Sequence, residues 1–207
     1  MKLKKKTKVF LVILFLVLVV VLGLLVYKNF FSSKEVKETK VIASIDDYGY
    51  KLKDNKNATY KKMFDELKEI LLEKEVDYEK YASKISEMFI YDFYSLEDKA
   101  AKNDIGGVDF IHPDALNNFL ENAESTYYKY VESNIYGNRT QQLPMVDTVT
   151  ISNIEPTNYV IGETPVEEAY AVTATWTYTN ESFNDYQKSA TLYLVREKKN
   201  LFIVELK

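Results

Sequence analysis

The residues suited to chemistry are few. His112 is the only histidine in the chain. A histidine base needs a carboxylate to orient it and a target to act on, and a metal site needs further ligands. Asp114 follows two positions later, and Asp104 and Asp109 precede it closely. The same letters also read as a helix start: His112-Pro113-Asp114 puts proline in the first turn and an acid where the helix dipole favours it. Just upstream, Asn103-Asp104-Ile105-Gly106-Gly107 combines side-chain oxygens with two glycines that permit positive φ or close backbone approach. A phosphate cradle would need the lysine and hydroxyl of a P-loop, and a calcium loop would need regularly spaced oxygens; both are missing. The stretch therefore reads first as a hydrogen-bonded turn. If a loop is functional it is this one, with Asn103, Asp104, Gly106, Gly107 and His112 as its residues.

Other constellations are weaker. Asp46-Asp47, Glu167-Glu168 and the Asp65/Glu69 pair could share protons if buried and close, but they fall in turns or on polar helix faces. Cysteine is absent, and no serine sits in a nucleophile elbow. No catalytic residue, metal ligand or cofactor-binding residue is assigned, no cofactor is expected, and the chain does not read as an enzyme. Seventeen tyrosines stand out. Tyr91 and Tyr94 cluster, as do Tyr127, Tyr128 and Tyr130; such residues serve interfaces and cores alike.

These residues need elements to position them. Residues 41–45 and the alternation of Tyr48, Tyr50 and Leu52 suit strands. Three amphipathic helices are predicted, over 58–74 with Asn57 as cap, over 78–94 with Asp77 as cap, and over 113–131. The third aligns Leu116, Phe119, Leu120, Ala123, Tyr127 and Tyr130. A short strand is expected at 108–111. Strands follow at 145–154, ended by Pro156, at 168–180, at 186–198 and at 201–206, the last two joined by a turn at Lys199-Asn200. Tyr170, Val172, Ala174, Trp176 and Tyr178 share one strand face. Helices followed by an antiparallel meander give an α+β domain with about three helices on a curved sheet of four or more strands.

Ahead of all this, residues 9–27 carry no charge. Nineteen helical residues would span about 29 Å, the thickness of a bilayer core. The run is longer than a signal peptide's apolar region and no A-x-A site follows it. Lys2, Lys4, Lys5, Lys6 and Lys8 place the N-terminus in the cytoplasm. The expected organisation is a cytoplasmic tail at 1–8, a transmembrane helix at 9–27, a stalk at 28–40 and an extracellular α+β domain at 41–207. The expected location is the cell membrane, single-pass, with membrane lipid as the anchor's partner. Beyond the anchor, 22 basic residues face 31 acidic ones, a balance of −9. Such a domain offers no basic field for nucleic acid, and protein partners are expected instead.

Helices followed by a curved four-stranded sheet resemble the cone-shaped nuclear transport factor 2-like domains. With a short tail and one anchor, the order is similar to membrane scaffold subunits of type IV secretion and Gram-positive conjugation systems. Phe93-Tyr94-Ser95-Leu96, Lys99 and Asn103-Asp104-Ile105-Gly106-Gly107-Val108-Asp109-Phe110 resemble a pattern of Gram-positive membrane proteins that implies no activity. The resemblance implies an interaction or scaffold domain of an envelope complex. The alternative it implies is a ligand-binding or enzymatic cone, with Asp104, His112 and Trp176 converging on a deep cavity.

Overall fold

A computed structural model describes residues 14, 15, 17–22 and 39–207. The chain divides into two compact units, Met1–Lys37 and Glu38–Lys207.

The anchor expected at 9–27 lies mostly outside the described residues, as do the tail at 1–8 and the stalk up to residue 38. Residues 14, 15 and 17–22 are helical. Among the described residues no helix is long and apolar enough to cross a membrane. This corrects the expected fold of a transmembrane helix followed by an α+β domain. It equally corrects the single-pass location with a cytoplasmic N-terminus and an extracellular domain.

The second unit is α+β. A hairpin of β1 (Val41–Ile45) and β2 (Tyr50–Lys53) turns at Gly49, whose φ is +78°. The helices α1 (Ala58–Leu72) and α2 (Tyr78–Tyr94) follow, capped by Asn57 and Asp77 side chains that accept backbone N–H groups. Next comes α3 (Pro113–Ser125). The strands β3 (Val146–Ile161), β4 (Thr164–Tyr178), β5 (Ser189–Glu197) and β6 (Asn200–Leu206) pair antiparallel in chain order.

Four local expectations change. Residues 108–110 form a 3-10 turn, and only Ile111 bridges to the sheet, parallel to Ile203. The third helix stops at Ser125, because Thr126 leaves the helical region at φ −118°, ψ −92°. That break shifts the phase, so Tyr128 is fully buried while Tyr130 is 75% exposed. Pro156 lies inside β3, because β3 is an edge strand and a proline's missing N–H costs no ladder bond on its outer side. The last hairpin turns at Lys198-Lys199, with Lys198 left-handed at φ 57°, since Glu197 and Asn200 already pair.

The core lies where α2 meets α1 on one side and β3 and β4 on the other. From Met88 to Tyr94 every residue of α2 is buried. Tyr170, Val172, Ala174, Trp176 and Tyr178 line the buried face of β4. Trp176 packs on Tyr94 with ring centroids 4.4 Å apart and donates its indole N–H to the Tyr178 hydroxyl. Phe93 sits among Phe89, Phe119, Tyr127 and Tyr128. Aromatic pairs of this kind add about 0.5–1.5 kcal/mol each beyond their buried area. They pack the space between α2 and β4.

Candidate functional site

The five loop residues separate into three places. Asn103 and Asp104 are exposed. Asp104 caps its own turn, its carboxylate accepting the Ala100 N–H at 2.8 Å. Gly106 and Gly107 are buried against α2. The Gly106 N–H donates to the Tyr128 hydroxyl at 3.1 Å, and that hydroxyl donates to the Phe93 carbonyl at 2.6 Å. The Gly107 N–H donates to the Asp92 carboxylate at 2.9 Å. A Cβ on Gly106 would lie 2.2 Å from the Asp92 carbonyl oxygen, and one on Gly107 2.5 Å from the Phe89 ring. The glycines are there for close approach to α2, with their amides already spent on protein groups.

What they close over is a buried ionic cluster. Asp92 meets the Lys56 ammonium at 2.6 Å and the Lys99 ammonium at 2.9 Å. Lys99 also meets Asp98 at 2.7 Å. Burial alone would raise the Asp92 carboxyl, but the Lys99 and Lys56 ammonium groups overcome it and hold it well below the usual carboxylate range. Burial likewise opposes charge on Lys99, and Asp92 and Asp98 reverse that and push it up. Arg139 ties the surrounding chain by donating to the carbonyls of Glu97, Lys99 and Glu132. Every charged group here is satisfied by another, which makes the cluster a structural clamp. The sequence signal for it was an acid, Asp92, inside the apolar run Met88–Tyr94.

His112 stands apart, at the start of α3. Its Nδ1 accepts the Asp114 N–H at 3.2 Å, which leaves the ring proton on Nε2 to be donated to the Glu197 carboxylate at 2.9 Å. Sequence reasoning missed Glu197, because it lies 85 residues away at the end of β5. Asp104, His112 and Trp176 each have different partners and do not converge.

The His112–Glu197 pair borders a groove of about 390 Å3 lined also by Asp114, Ile161, Thr164, Val166, Glu167, Val195 and Arg196. A second hollow of about 300 Å3 adjoins it through His112, Asp114 and Ile161. The roof is an arm. β3 and β4 pair out to Ile161 and Thr164, but β4 pairs β5 only from Ala169. The hairpin over 157–168 therefore extends beyond the β4–β5 ladder; its Tyr159 packs against Tyr193 of β5 and donates to the Glu205 carboxylate of β6 at 3.3 Å, while its Val160 is 53% exposed. At its root Arg196 binds Glu168 at 2.5 Å and covers the Tyr78 ring at 3.7 Å. The helix-face tyrosines are largely core: Tyr91, Tyr94 and Tyr128 are buried.

No family model, curated protein or solved structure matches the chain. Among the described residues no cluster of histidines and acids could hold a metal ion.

Proposed function

We propose that this chain is a non-catalytic protein-interaction domain, a scaffold or accessory subunit of a larger protein complex. The observation that carries this reading is the contrast between a core filled with aromatic side chains and an arm that carries exposed aliphatic residues, Val160 and Ile161, past the end of the β4–β5 ladder. Isolated exposed aliphatics are ordinary, but a projecting two-stranded edge beside an open groove offers backbone and side chains to a partner. Chemical cross-linking in the native cell, followed by purification of the chain, is expected to yield one recurrent partner in a fixed ratio. A chain recovered only as itself contradicts the reading.

A second reading rests on the groove beside His112 and Glu197, whose volume falls in the range of small-ligand sites. In that case a small molecule would raise the melting temperature of the wild-type chain and not of His112→Ala.

A further inference from the structure

The groove under the arm carries information about the partner's chemistry, an inference that rests on the protein-binding reading above. The ladder between β4 and β5 ends at Ala169 and Val195, while β4 itself begins at Thr164. β5 runs on to Glu197, so Arg196 and Glu197 still lie across from Glu168 and Glu167, and only Thr164, Pro165 and Val166 of β4 present a backbone edge that, among the described residues, has no strand beside it on this side. Such an edge pairs readily with an extended chain. Pro165 removes one donor from it, so pairing alone is short and side chains must supply selectivity.

The walls are Ile161, Val166 and Val195, and the charges facing the hollow are Asp114, Glu167 and Glu197. The one cation in the lining, Arg196, is already held by Glu168. The arm is acidic as well: residues 157–168 contain Glu163, Glu167 and Glu168 and no lysine or arginine. A second copy's arm would bring like charge to like charge, which argues against self-association in this groove.

We propose that the groove receives an extended basic segment of a protein partner. The segment pairs along β4, sets a lysine or arginine between Glu167 and Glu197, and lays aliphatic side chains on Ile161 and Val166. Attraction of this kind is strongest at low ionic strength.

The test uses the full chain and two fluorescein-labelled peptides, one alternating lysine with valine and one alternating glutamate with valine, followed by fluorescence anisotropy. The lysine peptide is expected to bind and to weaken as salt is added. Glu167→Gln/Glu197→Gln should weaken it by about fivefold or more, while the control Asp65→Asn/Glu69→Gln changes it by less than about twofold. Equal loss in both variants, or equal binding of the two peptides, overturns the proposal. If the cross-linked partner survives in Glu167→Gln/Glu197→Gln, the groove assignment fails and the protein-binding reading stands. If the peptide binds here but the native chain cross-links to no protein, the protein-binding reading fails and the basic-ligand site stands.

Discussion

Lys99 holds its ammonium 2.9 Å from the Asp92 carboxylate, with both side chains almost wholly removed from water. This pair joins the end of α2 to the loop that the two glycines close. Removing Lys99 leaves buried Asp92 with Lys56 in place of two cations and takes from Asp98 its ion-pair partner. Lys99→Met is expected to destabilise the chain by about 3–5 kcal/mol in urea unfolding. Lys84→Met, which breaks the half-buried pairs of Lys84 with Glu66 and Glu87, should cost about 1 kcal/mol or less per pair.

The pH dependence has a defined sign. Asp92 titrates lower folded than unfolded, so its ionisation stabilises the fold above the ordinary aspartate range near ~3.9 and that gain is lost as pH falls through its depressed value. Asp98 and Asp109 are raised, chiefly by burial, so their protonation on mild acidification favours the folded state. Lys99 is raised, so its contribution persists up to the ordinary lysine range near ~10.4 and is lost only above it. Stability measured by denaturant should therefore hold at pH 5 and fall below about pH 4. Asp92→Asn should be less stable at neutral pH and show a shallower acid limb.

Gly106→Ala and Gly107→Ala should each cost more than Gly137→Ala in thermal unfolding. Gly137 is left-handed at φ +67° but its Cβ would meet nothing, leaving only the backbone penalty of about 1–2 kcal/mol. At Gly106 φ is ordinary and the obstacle is the Asp92 backbone, which cannot rotate away, so overpacking alone costs about 3 kcal/mol or more; at Gly107 the clash with Phe89 comes on top of the left-handed penalty.

Trp176 is the sole tryptophan and 3% exposed. Its emission should be blue-shifted and resist quenching by acrylamide. Ready quenching would mean that the space between α2 and β4 is open to solvent, reviving a deep cavity.

The elements were legible where periodicity was strong. The caps Asn57 and Asp77 and the alternating face of β4 follow from residue types alone. Element ends were less legible, because they depend on partners: β3 runs through Pro156 because it lies at an edge, and α3 stops at Ser125 by a backbone break that no proline or glycine announces. The loop 103–112 stood out in the sequence for its glycines, which serve packing against Asp92 and Phe89. The arm was invisible, since its projection is a difference in length between β4 and β5. So was Glu197, whose meeting with His112 depends on the whole sheet. The membrane-spanning helix read from residues 9–27 finds no counterpart among the described residues.

Site-specific photo-cross-linking tests the central claim most directly. A benzoylphenylalanine placed at Val160, on the arm, should capture one discrete protein in the native cell. The same group at Glu69, on the exposed face of α1, should not. Capture of that protein at Val160 alone is the predicted result. No adduct at Val160, or the same adducts from both positions, would contradict the account.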